Sequence, residues 1–311
     1  MRGLDISKAY YEECGRPMLE AEFPDLLPFL AVGAVGSGSD RYGYDDEVSR
    51  DHDFEPGFCI FLPGEDVVDR RAAFRLERAY AKLPKEFMGC KRQMMSPVGG
   101  NRNGVIRSAE FYEKTVGTPD GNLSTDAWLR LPDYALAEAT NGEVFFDDYG
   151  EFTAIRLQLS EMPADIRLKR LAGNLLLMAQ AGQYNYIRCL KHGEREAAQL
   201  AAVEYVRATM KVLFLLHHRY MPYYKWSFRA LREIAPEMTE KLSFLLYGDA
   251  TDAVAEEKYT VIEEIATAVI SSLMEQGLTK AICGDLEKHA YSVNDRVSDA
   301  NLRNLPVLAA V

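Results

Sequence analysis

The chain has 311 residues, 48% of them apolar and 27% charged, which excludes a disordered or fibrous protein and leaves room for two globular domains. Its formal net charge of −11 gives no counterion-release drive toward nucleic acid. Duplex DNA or RNA is therefore a poor partner, and a small cationic substrate is electrostatically favoured.

In chain order, Ile6 to Glu22 is predicted helical and Pro24 ends it. Leu30 to Val35 reads as a buried strand that breaks into the turn Gly36-Ser37-Gly38-Ser39. After a polar stretch from Asp40 to Asp53, Phe58 to Leu62 reads as a second strand, stopped by Pro63-Gly64. Glu65 to Leu83 is a predicted helix, with Val68, Ala72, Leu76 and Ala79 as its apolar positions. Phe87 to Asn103 reads as loop, and Val105 to Ala109 as a third strand.

From about Ser124 helices dominate. Asp126–Leu131, Pro132–Ala139, Ala164–Gln180, Glu194–His218 and Val261–Met274 are predicted helices, and Glu143–Phe146 a hairpin or edge strand. Strands in the first half and helices in the second imply an α+β protein: a small mixed-sheet domain over 1–150, then an all-α helical-bundle domain over 151–311. The five cysteines form no CxxC pair and are odd in number, which points to reduced, mostly buried thiols. No stretch approaches the roughly 20 apolar residues of a membrane span, and Met1 to Glu13 lacks a signal pattern. The expectation is a cytoplasmic protein without a membrane partner.

Two features carry chemistry. The glycines of the Gly38-Ser39 turn let backbone N–H groups converge on an anion, and the serine hydroxyl adds a donor. Further on, Asp51-His52-Asp53 leads into the second strand. In extended backbone Asp51 and Asp53 share a face, two hard oxygen ligands suited to Mg²⁺. The competing reading of Asp45-Asp46-Glu47 and the two aspartates is a solvated acidic turn.

Taken together, Gly38-Ser39, Gly43, Ser49 and Asp51-x-Asp53 resemble the signature of the polymerase-beta-like nucleotidyltransferase superfamily. Arg50 departs from it, separating the serine from the first aspartate. The string Asp45 to Asp53 resembles a bacterial family of unknown function within that superfamily. Trp128-Leu129-Arg130-Leu131-Pro132, Gly142-Glu143-Val144-Phe145 and Tyr220 to Trp226 are similar to the same family.

The resemblance implies that Gly38, Ser39 and Gly43 bind a nucleoside triphosphate such as ATP and that Asp51 and Asp53 bind Mg²⁺. It implies transfer of a nucleoside monophosphate to a hydroxyl, and a second domain like that of the aminoglycoside nucleotidyltransferases. A third carboxylate is expected on a later strand, where Arg107 stands instead. Glu110 is the candidate for metal binding or for the base; alternatively Ser108 starts a helix and Glu110 only favours its N-terminal dipole. Lys225 either reaches the triphosphate or is a surface lysine beside Trp226. Of His217 and His218, one is expected buried and one at a helix C-terminus. The function classes left open are a small-molecule nucleotidyltransferase, an inactive nucleotide-binding protein on the same fold, and a nucleotidyltransferase that modifies proteins.

Overall fold

The computed structural model describes residues 2–48, 55–92, 102–248 and 252–311. In chain order the elements begin with helices α1 (Gly3–Tyr10) and α2 (Arg16–Glu22), joined by a widened π turn at Tyr11–Gly15. Strands β1 (Ala31–Ala34) and β2 (Cys59–Leu62), helix α3 (Arg70–Lys82), the ribbon β3 (Glu86–Phe87) and β4 (Cys90–Lys91), and strand β5 (Gly104–Arg107) follow. Helices α4 (Ser108–Val116), α5 (Thr125–Arg130) and α6 (Asp133–Thr140) lead to strand β6 (Glu143–Asp147) and helix α7 (Glu151–Ser160). The remainder is helical: α8 (Ala164–Met178), α9 (Ile187–Lys191), α10 (Arg195–Leu216), α11 (Tyr224–Ile234), α12 (Pro236–Tyr247), α13 (Asp252–Glu275), α14 (Leu286–Asn294) and α15 (Ala300–Asn304). The protein is thus an α+β fold, a small mixed sheet followed by a helical domain.

Two compact units divide the chain. One holds Met1–Leu123 and Tyr134–Glu161, the other Ser124–Asp133 and Met162–Val311. The chain therefore crosses between them three times, where the sequence predicts one boundary near 150.

In the first unit the sheet order is β5-β2-β1-β6. β1 is antiparallel to both β2 and β6, and β5 runs parallel to β2. Both faces are covered, which is why β2 reads as the unbroken apolar run Cys-Ile-Phe-Leu. Val32, Ile60 and Leu62 pack on one face with Tyr10, Leu19, Leu76 and Tyr80. Phe61 turns to the other face, as strand alternation requires, and stacks on Phe152 at 3.9 Å. Each fully buried side chain of this size contributes about 1.5–3 kcal/mol.

The helix read from Glu65 begins only at Arg70. Gly64 O accepts the Val67 and Val68 amides in a tight turn, and the Asp69 carboxylate then caps α3 by accepting from Ala72 N at 2.7 Å. Glu143–Asp147 is an edge strand. Of the cysteines only Cys59 is buried; the other four are partly exposed, against the expectation of mostly buried thiols.

In the helical unit α8 packs against α10 and α14. The fully buried Lys169 of α8 donates to Asn294 Oδ1 at 2.8 Å and to Leu305 O at 2.6 Å, tying down the C-terminal segment. Both His217 and His218 are exposed, so neither is the buried histidine expected. Leu216 is the last residue of α10, and His218 beyond it adopts φ 52°. Among the described residues no helix is long and apolar enough to cross a membrane.

Candidate functional site

The turn after β1 is built from the bottom by close packing. Gly36 has φ +97° and Gly38 φ +121°, backbone that side-chain-bearing residues rarely adopt. The Asn141 amide clamps Gly36 on both sides, accepting from its N–H at 2.8 Å and donating to its carbonyl at 2.7 Å. Beyond it, Asp40–Tyr42 forms a single 3₁₀ turn closed by Gly43, whose N–H donates to Asp40 O at 3.1 Å. Gly43 therefore serves to end the turn, through φ +69°. The N–H groups of Ser37, Gly38, Ser39 and Asp40 donate to no acceptor among the described residues. They stand at the start of the 3₁₀ turn, with Ser37 exposed and Gly38 and Ser39 half-exposed.

A buried ion network holds the turn to the beginning of β5. Arg102 donates to Ser37 O at 2.9 Å and pairs with Asp40 Oδ1 at 2.5 Å. Asp40 is 5% exposed and also faces Arg41 at 3.5 Å. Arg41 in turn donates to Asn103 Oδ1 at 2.5 Å, and Asn103 donates to Glu55 Oε1 at 2.8 Å. Residues 40, 41, 55, 102 and 103 thus collect at one end of the sheet. Cys59 opens β2 there; its thiol donates to Arg102 O at 3.2 Å, and burial pushes that thiol up to about 11.

Asp51 and Asp53, with Ser49, Arg50 and His52, lie outside the described residues. Glu110 is described and is not brought to the turn. Gly33 pairs with Cys59, Cys59 with Gly104, and Leu62 with Arg107, so the turn sits where β5 starts and Glu110 follows where β5 ends. The strand alone separates these ends by about 10 Å. Glu110 occupies the first turn of α4, where its charge suits the helix dipole, and lines a cleft of about 400 Å³ with Glu65, Arg70, Glu77 and Arg107. Arg107 itself spends its guanidinium on Pro63 O and Val68 O. Lys225 belongs to the helical unit; it is exposed in the first turn of α11, with its ammonium 5.0 Å from the Trp226 ring.

One carboxylate near the turn was not legible in the sequence. Glu138, one helical turn before Asn141, is half-buried on α6, and its charge is felt by Tyr42 and attracted by Arg102. Burial raises its carboxyl above the ordinary glutamate range, against the pull of Arg102. The Tyr42 phenol is likewise pushed up by burial first and by Glu138 second. Its buried hydroxyl has no well-aligned partner among the described residues, since the neighbouring Asn141 amide is committed to Gly36. The turn, Arg102, Tyr42, Asn141 and Glu138 therefore form one constellation of unspent donors, one guanidinium and one carboxylate. Asp40 and Glu55 are engaged by Arg102 and Asn103, and among the described residues no three His, Cys, Asp or Glu side chains converge as metal ligands.

Residues 128–227 match a family described as a domain of unknown function, DUF4037. No curated protein matches the chain. Among solved structures, the chain is similar to a nucleotidyltransferase-like protein from Exiguobacterium sibiricum, at 10% identity and a TM-score of 0.39, over 92% of this chain and 81% of that one.

Proposed function

We propose that this protein transfers a nucleoside monophosphate from a nucleoside triphosphate such as ATP to a hydroxyl of a small molecule. The observation that carries the reading is the turn after β1. Four consecutive N–H groups there donate to no acceptor among the described residues, beside a guanidinium packed on Gly38. Such a turn suits the terminal phosphates of a triphosphate. Asp51 and Asp53 are the residues that would hold Mg²⁺, which would offset the phosphate charge.

Within this reading Glu138 takes the place first given to Glu110. The acceptor oxygen attacks the α-phosphorus and a new P–O bond forms. The bond from that phosphorus to the bridging oxygen breaks, and pyrophosphate leaves with its electron pair. The hydroxyl proton passes to a Glu138 carboxylate oxygen, which burial makes a stronger base than a free glutamate.

The second reading is a non-catalytic nucleotide-binding protein. It is favoured by residues 91–109, which contain no aspartate or glutamate, so β5 brings no carboxylate of its own. Pyrophosphate release from Mg-ATP, with water as the acceptor, separates the two. The enzyme reading expects slow release by the wild type and a loss of roughly 10²-fold or more in Glu138→Gln. Wild-type protein that binds ATP and releases no pyrophosphate selects the second reading.

A further inference from the structure

The helical unit buries more positive charge than its described neighbours neutralise. Asp133, at the start of α6, is 8% exposed and Arg170 of α8 is 6% exposed. Arg170 Nη2 lies 2.8 Å from Asp133 Oδ1, an ion pair rather than an aligned hydrogen bond. Arg170 Nη1 is buried and has no hydrogen-bond partner among the described residues. Lys211 of α10, half-buried, is attracted by Asp133 and repelled by Arg170 and Arg207, and burial lowers its pKa. The half-buried Tyr220 phenol borders Asp133 and Arg170.

The remaining charges that bear on Lys211 are Arg207 and Glu204, which are exposed and pair with each other at 3.5 Å. Two cations therefore face one carboxylate. A buried cation short of partners is costly, and a guanidinium edge is shaped for an oxyanion. Lys169, on the same helix, shows the satisfied alternative: its buried ammonium has oxygen acceptors from Asn294, Arg303 and Leu305.

We propose that Asp133, Arg170 and Lys211 form an oxyanion site within the helical unit that takes the phosphate group of a small molecule. Arg170 Nη1 and Lys211 Nζ donate to the phosphate oxygens, and Asp133 fixes the guanidinium from behind. This site is independent of the Gly36–Ser39 turn and stands if the nucleotide reading fails.

The test is a thermal-stability titration of the full chain with inorganic phosphate, against sodium chloride at equal ionic strength. The wild type should show a saturable rise that chloride does not give. Lys211→Gln should weaken phosphate by about tenfold or more, the loss of one charge-assisted hydrogen bond. In chloride the same variant should melt at or above the wild type, because it sheds an uncompensated cation. No phosphate-specific rise overturns the proposal. So does a rise that survives Lys211→Gln, which places the phosphate elsewhere, or a lower melting point of that variant in chloride, which makes Lys211 a neutraliser of Asp133. Glycerol phosphate in a parallel titration separates the sources: tighter binding than the free ion assigns a phosphate ester, equal binding assigns phosphate itself.

Discussion

Gly38→Ala tests whether the turn is held as described. A Cβ at Gly38 would stand 1.8 Å from Arg102 Nη2 and 2.5 Å from Asp40 Oδ1. The backbone at φ +121° is itself strained for alanine, by about 1–3 kcal/mol. Arg102 must also move, leaving the buried Asp40 with Arg41 at 3.5 Å and forfeiting a charged hydrogen bond, about 1.5–3 kcal/mol. The sum is about 2.5–6 kcal/mol, a fall in melting temperature of roughly 5–24 °C for a unit of this size. The assay is thermal unfolding followed by circular dichroism, run as a double-mutant cycle with Arg102→Ala. In the Arg102→Ala background Gly38→Ala should cost less, only the backbone strain of about 1–3 kcal/mol and a small shift of the Asp40 carboxylate, which no longer pairs with Arg102. An equal cost in both backgrounds refutes the close packing of Arg102 on Gly38.

Three further outcomes follow from the same geometry. Asn141→Ala removes both bonds to Gly36 and leaves its buried N–H unpaired, so urea unfolding should show a loss of about 2–3 kcal/mol; a loss under 0.5 kcal/mol contradicts the clamp. Glu138 has a folded-state pKa above its unfolded value, so its contribution to stability is present in acid and lost as pH rises through the folded pKa. Glu138→Gln should therefore gain melting temperature relative to wild type between pH 5 and pH 8, and a relative loss over that range contradicts the burial argument. Asp165 accepts from Ser298 N at 3.0 Å and Asp299 N at 2.8 Å, and the Ser298 amide foremost lowers its pKa. Its contribution is present above the ordinary aspartate pKa and lost as pH falls through the lower folded value. The stability gap between wild type and Asp165→Ala should narrow below pH 4 in acid titration; a constant gap points to lost packing instead.

The four strands of the main sheet were legible because each is a short run with apolar residues bounded by glycine, proline or a polar stretch; the two-residue strands β3 and β4 were not, since the ribbon is too short to show alternation and Phe87 to Asn103 reads as loop. The Gly36–Ser39 turn was legible because glycine marks it chemically. The start of α3 was misplaced because Glu65 and Asp66 look like first-turn acids, while Asp69 is the residue whose carboxylate caps the helix. Glu138 was missed for a different reason. It lies 85 positions beyond Asp53 on a helix, and only the tertiary fold, through Asn141 and Arg102, brings α6 to the turn. Strand order points instead to Glu110, which stands past the far end of β5 from the turn. The buried Asp133–Arg170 pair was equally silent, since neither residue stands in a motif and α6 and α8 are read separately.

The central claim, a triphosphate on the Gly36–Ser39 turn, is tested most directly by calorimetric titration of ATP into the full chain, with and without Mg²⁺. Wild type, Asp53→Asn and Arg102→Ala would be compared. The expected result is Mg²⁺-dependent binding by the wild type, weakened at least tenfold in both variants while their far-ultraviolet spectra remain unchanged. Binding that is indifferent to Mg²⁺ and to both substitutions, or no binding of ATP or any other nucleoside triphosphate, would contradict it.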